Sequence, residues 1–311
     1  MKYLVTGGGG FIGSNIVEEL LHQGHEVRVL DNFSTGKREN IRPFLSDIEL
    51  IEGDIRSYHV TDRAVRGIEV ILHQAALPSV PRSIADPITS NEVNVVGTLN
   101  ILEAGRTHGV RRIVYASSSS VYGDNPVLPK VETMTPRPLS PYAVSKLAGE
   151  HYCRIFYELY GMETVALRYF NVFGPRQDPD SQYSAVIPKF ITAMMRGDAP
   201  VIFGNGDQSR DFTYVSNVVQ ANMLASTKQN AIGKAMNCAT RGQISLNDLV
   251  GKINIIMGTS IMPVYAQSRK GDIVHSYADI ELIRESADYS PLVDFECGLL
   301  KTVQYYSCER P

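Results

Sequence analysis

The stretch "KYLVTGGGGFIGSN", residues 2–15, decides the fold of this chain. It runs from a short β-branched segment through a glycine-rich turn into a helical pattern. Glycines let the chain turn tightly and let the backbone approach a pyrophosphate, which then lies at the positive N-terminus of the next helix. Both GxGxxG (Gly8, Gly10, Gly13) and GxxGxxG (Gly7, Gly10, Gly13) fit the spacing. Such a turn can also be purely structural, so the next strand provides a second test.

Asp31 ends the next predicted strand, "EVRVLDN", 18 residues after Gly13. A carboxylate at this place can accept hydrogen bonds from the adenosine ribose 2'-hydroxyl, and it repels a 2'-phosphate. The pattern therefore favours NAD over NADP, although Lys37 and Arg38 follow closely and would suit a phosphate. Asp54 ends the third predicted strand, in "IEGDI", where it either reaches the adenine side of the cofactor or caps a loop.

Short β-branched runs alternate with helix-period segments through the first part of the chain. The predicted buried parallel strands are "KYLVTG", "EVRVLD", "IELIEGD", "EVILHQAA", "RRIVYASS" and "TVALRYF". Helical stretches such as "FIGSNIVEELLHQG" separate them and close near a glycine. This alternation predicts an α/β fold with a Rossmann-type doubly wound parallel sheet in residues 1–172. Residues 173–311 are turn-rich and predict a smaller C-terminal α/β substrate lobe, some of whose elements return to the sheet.

Composition is that of an ordinary globular enzyme. The 311 residues carry a net charge of -3 with 20% charged and 43% hydrophobic residues, and no basic stripe indicates nucleic acid. No apolar run approaches the roughly 20 residues that span a membrane. The first strand begins directly after Met1, so we expect no signal peptide and a cytoplasmic protein. The four cysteines form no CxxC pair and the seven histidines are scattered, so we expect no metal site.

A second motif, "LSPYAVSKLAGEHYCRIFYELYG" at residues 139–161, predicts a helix that carries chemistry. Ser140 is a good N-cap and Pro141 suits the first helical position. Tyr142 and Lys146 then lie four residues apart on one helix face. A tyrosine has an ordinary pKa near 10, and a nearby ammonium favours its phenolate form. The pair therefore predicts a general base, although a lone YxxxK is often only structural.

Four motifs together resemble the extended short-chain dehydrogenase/reductase family: "TGGGGFIG", "YASSSSVYG", "YAVSK" and "LRYFNVFGP". Within that family the chain is similar to the NAD-dependent UDP-hexose 4-epimerases, and most similar to UDP-N-acetylglucosamine 4-epimerases. The resemblance implies NAD as cofactor, a UDP-sugar as substrate and no net redox change. It also implies a homodimer formed through a four-helix bundle, for which helices starting at Tyr142 and around Thr98 to Gly105 are candidates.

The resemblance also implies roles for individual residues. The catalytic set is Ser118, Tyr142 and Lys146. The cofactor-binding set is Gly7, Gly10, Phe11, Ile12, Gly13, Asp31, Asn32, Asp54, Ile55, Ala75, Ala76, Asn94, Ser117, Tyr142, Lys146 and Tyr169. The substrate-binding set is Ser79, Ser118, Ser119, Ser120, Asn171, Gln177, Ala185, Val186, Phe203, Arg210, Arg269, Asp272 and Ser276.

By the same resemblance, the small Ser276 leaves room for an N-acetyl group at the sugar C2, and Ala185 and Gln177 fit that preference. Pro78 departs from the pattern, since the most similar family members carry Gly in that loop. A diphosphate is bound best by arginines, which can make bidentate contacts, and the resemblance implies this role for Arg210 and Arg269.

Other reactions of the same scaffold remain as alternatives. Nucleotide-sugar dehydratases and UDP-glucuronate decarboxylases carry acids where this chain has Ser119 and Ser120. UDP-glucuronate 4-epimerase shares the serine run, but it often has Thr in place of Asn171. A non-catalytic NAD-binding protein is the alternative outside the enzymes, and the intact set of Ser118, Tyr142 and Lys146 argues against it.

Overall fold

A computed structural model describes residues 1–179, 186–268 and 275–308 of the chain. Within those ranges the strands are β1 (Lys2–Thr6), β2 (Glu26–Asp31), β3 (Ile48–Glu52), β4 (Val70–His73), β5 (Arg112–Ser118), β6 (Glu163–Tyr169), β7 (Val172–Phe173), β8 (Val201–Phe203), β9 (Ser209–Arg210), β10 (Thr213–Tyr214), β11 (Ala235–Cys238), β12 (Ile244–Ser245), β13 (Val264–Ala266) and β14 (His275–Ser276). The helices are α1 (Phe11–His22), α2 (Tyr58–Val65), α3 (Val80–Ala85), α4 (Pro87–Asn91), α5 (Gly97–Thr107), α6 (Pro141–Tyr160), α7 (Val186–Met195), α8 (Val215–Thr227), α9 (Leu246–Met257), α10 (Glu281–Ala287) and α11 (Phe295–Cys308).

A seven-stranded sheet with the order β11-β6-β5-β4-β1-β2-β3 forms the centre of the molecule. Every neighbouring pair in it is parallel. The six runs predicted as strands form β1 to β6, which confirms the doubly wound α/β fold. The seventh strand, β11, comes from the C-terminal part of the chain and pairs with β6.

The two faces of the sheet bury two separate apolar clusters. Successive side chains of a strand point to opposite faces, so Leu4 packs into one cluster and Val5 into the other. Helices α1 and α8 contact each other on one side, and α5 and α6 contact each other on the other side. Central β1 and β4 are almost entirely buried for this reason, whereas the edge strand β3 is only half-buried, against the expectation of a buried strand.

The order of the strands creates a crevice beside β1. Strand β1 lies between β2 and β4, so the chain winds away from β1 in both directions along the sheet. Ligands of open α/β sheets bind at such a switch point, outside the carboxyl ends of the strands. The glycine-rich turn follows β1 directly, and Gln74 and Ala75 follow β4. The fold therefore brings the turn and the β4 loop to one site.

The helical segment before β5 is not one continuous α-helix. Helix α4 is followed by one π-helical stretch, Glu92–Val96, before α5 begins at Gly97. A side chain added at Gly97 would approach the Cδ1 atom of Ile55 to 2.5 Å, so glycine permits this close packing. Such π-helical insertions are frequent near functional sites.

Short strands and helices make up the described part of the C-terminal region. Strand β7 pairs with β10, β8 pairs with β13, and β9 lies between β12 and β14. In the described ranges, no helix is both long enough and apolar enough to cross a membrane.

Candidate active site

A cavity of about 790 Å³ opens at the carboxyl ends of β1, β4 and β5. Its wall is formed by the turn between β1 and α1, the ends of β2 and β5, the loop after β4, the start of α6 and the segment from Tyr169 to Asp178. Most of the residues predicted to bind cofactor line it. These are Gly7, Gly10, Phe11, Ile12, Gly13, Asp31, Asn32, Asp54, Ile55, Ala75, Ala76, Ser117, Tyr142, Lys146 and Tyr169.

The glycine turn fits a dinucleotide because side chains are sterically excluded from it. A Cβ at Gly13 would lie 2.1 Å from the carbonyl oxygen of Gly7, and one at Gly7 would lie 2.8 Å from the backbone of Ala75. Gly7 also has a φ of 71°, which favours glycine. Helix α1 starts directly after Gly10, so the first N–H groups of the helix lack intrahelical partners and face the cavity lined by Phe11. This is an anion site of the kind that holds a pyrophosphate.

Asp31 lies at the end of β2 and is held by the backbone of the glycine turn. Its Oδ2 accepts a 2.8 Å hydrogen bond from Gly9 N, and its Oδ1 accepts one of 2.8 Å from Phe33 N. Burial raises the pKa of this carboxyl, and the backbone hydrogen bonds lower it in part. Asp54 lies nearby, where Arg56 holds the pKa of its carboxyl below the ordinary value. The two carboxylates flank the expected adenosine end of the cavity.

Lys37 and Arg38, whose charges would suit the 2'-phosphate of NADP, each form an ion pair with a carboxylate. Lys37 Nζ lies 3.0 Å from Asp178 Oδ1. Arg38 forms an ion pair with Glu52, and its guanidinium lies 4.3 Å from the ring centre of Phe33. Both charges are thus paired with carboxylates in the protein without ligand.

Helix α6 begins as the sequence predicts. The Ser140 hydroxyl oxygen accepts a 3.2 Å hydrogen bond from Ala143 N, and Pro141 occupies the first helical position. A cap of this kind contributes about 1 kcal/mol to helix stability. The backbone N–H of Tyr142 also donates a 3.0 Å hydrogen bond to Ser83 Oγ, on α3. The start of α6 is therefore fixed against the wall of the cavity.

Tyr142 and Lys146 meet the end of β5 across the cavity floor. The Ser118 hydroxyl is close enough to the Tyr142 phenol to lower its pKa. Lys146 Nζ donates a 2.8 Å hydrogen bond to the carbonyl oxygen of Ala116 and lies 5.9 Å from the ring centre of Tyr142. The three residues predicted as catalytic are thus brought together.

Burial has the largest effect on the pKa values of Lys146 and Tyr142. Burial lowers the pKa of Lys146 to about 8, so its amine is mostly charged at neutral pH. Burial also raises the pKa of Tyr142, and the contact with Ser118 lowers it only in part. In the protein without ligand, desolvation of the phenolate therefore outweighs the effect of its neighbours.

The four serines of residues 117–120 have different surroundings. Strand β5 ends at Ser118, where the predicted strand "RRIVYASS" also ends, and a single 3₁₀ turn follows. The Ser118 oxygen accepts hydrogen bonds from Ser120 N at 3.2 Å and, in one assignment of the hydroxyl protons, from Ser120 Oγ at 3.0 Å. Ser117 donates its hydroxyl to Glu150. Ser119 and Ser120 line the cavity.

On the sugar side, Ser79, Asn171 and Gln177 also line the cavity. Asn171 has a φ of 32°, and its side-chain amide donates a 3.2 Å hydrogen bond to Asp211 O. Gln177 donates its amide N–H to Val172 O at 3.1 Å, but its buried Oε1 has no hydrogen-bond partner among the residues that the structure describes.

Other predicted residues lie outside the wall of this cavity. They are Asn94, Val186, Phe203, Arg210 and Ser276. Asn94 was expected to flank the cofactor, but it is buried behind the β4 loop, where its Oδ1 accepts a 2.8 Å hydrogen bond from Leu77 N. Arg210 and Ser276 are paired in register between β9 and β14. Ala185, Arg269 and Asp272 lie outside the described residues.

Three residues of this region were not predicted from the sequence. Arg82 and Arg176 are half-buried and line the cavity. Neither stands at a spacing that signals a site. Glu150 is buried behind Ser117, and its position four residues after Lys146, on the same helix face, could have identified it.

Comparisons with known proteins identify the family of this chain. The model of the NAD dependent epimerase/dehydratase family matches residues 3–239. A putative UDP-glucose 4-epimerase of Methanocaldococcus jannaschii is 40% identical over 304 residues, which are 97% of each chain. A solved UDP-N-acetylglucosamine 4-epimerase from Methanobrevibacter ruminantium M1, in complex with UDP-N-acetylmuramic acid, is 39% identical with a TM-score of 0.95 and 99% coverage of each chain. A UDP-glucuronic acid 4-epimerase from Bacillus cereus, in complex with UDP-glucuronic acid and NAD, is 34% identical with a TM-score of 0.91 and 99% coverage of each chain. By the extent of these matches, the chain belongs to the NAD-dependent epimerase/dehydratase family.

Proposed function

We propose that this chain is an NAD-dependent UDP-sugar 4-epimerase that interconverts UDP-GlcNAc and UDP-GalNAc, and also UDP-Glc and UDP-Gal. The observation that carries the proposal is the convergence of Ser118, Tyr142 and Lys146 on one cavity, beside a glycine turn built for a dinucleotide. Relatives whose names describe 4-epimerases of three kinds of UDP-sugar support the reaction, and they leave the sugar to be decided by the residues.

The residues present fit NAD. The first turn of α1 would hold the pyrophosphate, Asp31 the adenosine ribose, and Lys146 the nicotinamide ribose, because each lines the cavity where that group is expected. When bound, NAD supplies the positive charge and the hydride acceptor that oxidation at the sugar C4 requires.

Tyr142 and Ser118 supply the proton chemistry. The Ser118 oxygen accepts a hydrogen bond from the backbone N–H of Ser120, which holds this side chain where it would position the 4-hydroxyl of the sugar. Tyr142, as phenolate, takes the proton of that hydroxyl as C4 becomes a ketone. After the 4-keto sugar has turned its other face to the floor, Tyr142 returns the proton. Epimerisation therefore requires a firm hold on the diphosphate and a loose fit around the hexose.

Residues of the C-terminal region support the preference for an N-acetylated hexose. The buried Gln177 Oε1 is an acceptor without a partner within the described ranges, and burying such an atom is unfavourable unless a donor satisfies it. The N–H of an acetamido group is a donor of the required kind. Ser276, on β14, is small, and we propose that Arg210 with Arg269 holds the diphosphate.

UDP-glucuronate is the second candidate substrate, and Arg82 favours it. This guanidinium is half-buried in the cavity wall, and no ion pair holds it in the part of the chain that the structure describes. A carboxylate at the sugar C6 would suit such a cation. Elimination and decarboxylation are less well supported, because Ser119 and Ser120 stand where acids are expected.

We also propose a homodimer in which α5 and α6 form a four-helix bundle with a second copy. Both helices lie on one side of the sheet and contact each other. Tyr157 and Tyr160 on α6 are exposed, as apolar side chains covered by a partner would be in a single copy.

The substrate proposal is tested by incubating the purified protein with UDP-GlcNAc, UDP-Glc and UDP-GlcA separately, and reading the configuration at C4 by NMR. We expect 4-epimers of UDP-GlcNAc and UDP-Glc. If Ser276 lies beside the C2 substituent once the substrate is bound, as the resemblance implies, the variant Ser276→Tyr should lose turnover of UDP-GlcNAc and keep that of UDP-Glc, because the larger side chain fills this space. A 4-epimer formed from UDP-GlcA alone would identify the uronate as the substrate. If none of the three sugars gives a 4-epimer although NAD is bound, the proposed function is wrong.

A further inference from the structure

A buried ion pair lies directly behind the catalytic serine. Glu150, on α6, is 6% exposed, and Arg168, on β6, is 5% exposed. Arg168 Nε donates a 2.9 Å hydrogen bond to Glu150 Oε1, and Arg168 Nη2 donates one of 2.8 Å to Glu150 Oε2. Neither residue lines the cavity proposed for NAD and the sugar. The proposed chemistry therefore does not use them directly.

Ser117 joins this ion pair to the reacting end of β5. Its hydroxyl donates to Glu150 Oε1, the same oxygen that Arg168 Nε contacts. In the sheet, Ser117 faces Arg168 across the β5–β6 pair, and Ser118 faces Tyr169 in the next position. Side chains alternate along a strand, so Arg168 reaches α6 while Tyr169 bonds to Asn222 on α8. Ser118 thus follows directly on a residue that Glu150 holds in place.

Glu150 is also tied to the catalytic helix. Tyr142, Lys146 and Glu150 follow one another at intervals of four residues along α6. Its carboxylate therefore joins α6, which carries Tyr142, to β5, which carries Ser118. A hydrogen-bonding group that spans the two elements controls how far apart they lie.

The hydrogen-bond network around Glu150 and Arg168 extends to the C-terminal region. Arg168 Nη1 donates a 2.9 Å hydrogen bond to the Tyr122 hydroxyl, which donates one of 2.7 Å to Asn237 Oδ1. Asn237 lies on β11 and faces Arg168 in the β11–β6 register. Its amide donates hydrogen bonds of 3.0 Å to the carbonyl oxygens of Lys130 and Asp279. Every hydrogen-bonding group named in this network has a partner, and a network whose groups are all satisfied is rigid.

Resting on the roles proposed above for Ser118 and Tyr142, we propose that Glu150 and Arg168 are positioning residues of the epimerisation. They fix the separation between the Ser118 hydroxyl and the Tyr142 phenol by clamping Ser117 on β5 to α6. Misplacement of reacting groups by about 1 Å can slow an enzyme by roughly 100-fold, so a clamp at this place has a kinetic consequence.

The alternative is that the ion pair only stabilises the fold, and the chain contains a matched control. Arg112 and Glu163 form a second ion pair across the same two strands, at their opposite ends. Arg112 is fully buried, and its Nε lies 2.8 Å from Glu163 Oε2. That pair is about 20 Å along β5 from Ser118, at the usual rise of a strand. Loss of a charge there should reduce stability without moving the reacting groups.

The test compares Glu150→Gln, Ser117→Ala and Glu163→Gln for thermal stability, for kcat and KM with UDP-GlcNAc, and for the pH dependence of kcat. We expect kcat of Glu150→Gln to fall about 10- to 100-fold with little change in KM. The acidic limb of its pH profile, where the Tyr142 phenolate gains a proton, should move to higher pH, since the contact with Ser118 that lowers the Tyr142 pKa is weakened. Ser117→Ala should show the same changes to a smaller degree. Glu163→Gln should lose stability and keep the wild-type kcat and profile.

Wild-type kcat and pH profile in both Glu150→Gln and Ser117→Ala would overturn the proposal, as would an equal loss of kcat in Glu163→Gln. If Glu150→Gln does not fold, Ser117→Ala decides, because it removes one hydroxyl and leaves the ion pair intact. Tyr142→Phe is measured in the same series. If that variant is active, the proposed function itself fails, whereas an inactive Tyr142→Phe beside wild-type kinetics in Glu150→Gln and Ser117→Ala removes only the positioning role.

Discussion

Lys146 Nζ donates a 2.8 Å hydrogen bond to the carbonyl oxygen of Ala116, two residues before Ser118. This contact crosses from α6 to β5 and anchors the amine beneath the cavity. Because the side chain is 4% exposed, its charge is desolvated, and burial lowers its pKa to about 8. Keeping this amine charged therefore lowers the stability of the folded protein.

The first prediction concerns this loss of stability. The lowered pKa means that the folded protein binds fewer protons than the unfolded chain above the folded pKa, so the stability of the folded state rises with pH up to the unfolded value near 10.4. Lys146→Met removes this dependence. We expect the stability of the nucleotide-free variant relative to wild type to fall by about 2 kcal/mol between about pH 7.5 and about pH 9.5, measured by urea unfolding. A difference that stays constant with pH would show that Lys146 does not titrate in this range.

The second prediction concerns the general base. Tyr142→Phe removes the hydroxyl that we propose takes and returns the proton, and leaves the ring and the cavity wall in place. We expect epimerisation to fall by roughly 1,000-fold or more, with NAD still bound, because general-base catalysis contributes about two to four orders of magnitude. Tyr58→Phe, at an exposed position of α2 outside the cavity wall, should retain full activity. Activity is read from the ratio of C4 epimers, and NAD from absorbance after denaturation.

The third prediction concerns the choice of cofactor. Asp31 is fixed by hydrogen bonds from Gly9 and Phe33, so its carboxylate is held where a ribose 2'-hydroxyl can donate to it. Asp31→Asn removes the charge that repels a 2'-phosphate. We expect the affinity for NAD to fall and that for NADP to rise, so that their ratio changes by about 10-fold or more. Calorimetric titration of nucleotide-free protein measures both constants, and an unchanged ratio would contradict the assignment of Asp31.

The fourth prediction separates two glycines. A Cβ at Gly13 would lie 2.1 Å from the carbonyl oxygen of Gly7, whereas one at Gly251, within α9, meets no heavy atom within 4 Å. Gly13→Ala must therefore displace the backbone of the turn, and we expect loss of NAD binding. Gly251→Ala should bind NAD normally and be more stable by about 0.5–1 kcal/mol, since alanine favours a helix. Normal NAD binding by Gly13→Ala would show that the turn does not hold the pyrophosphate.

Local patterns predicted much of the fold and the floor of the site. The six sheet strands, the cap at Ser140 and the carboxylate at the end of β2 follow from alternation, capping chemistry and the position of Asp31. Each depends on residues close together in sequence. The pairing of Tyr142 with Lys146 follows likewise from one helix turn.

What the sequence did not reveal depends on contacts between distant segments. Asn94 is buried behind Leu77 because the β4 loop folds over it, and no local pattern indicates this. The raised pKa of Tyr142 is a property of burial, which the assembled fold determines. Glu150 meets Ser117 only because β5 and α6 pack together. Partners of this kind can be found only once the elements are assembled.

The most direct test of the central claim is the fate of the hydrogen at C4. UDP-GlcNAc labelled with deuterium at C4 is incubated with the protein in ordinary water, and the product is examined by NMR and mass spectrometry. The proposed mechanism predicts the 4-epimer with the deuterium still at C4, since the same hydride leaves and returns within one binding event. Formation of the epimer with hydrogen from water at C4, or no epimer at all, would contradict it.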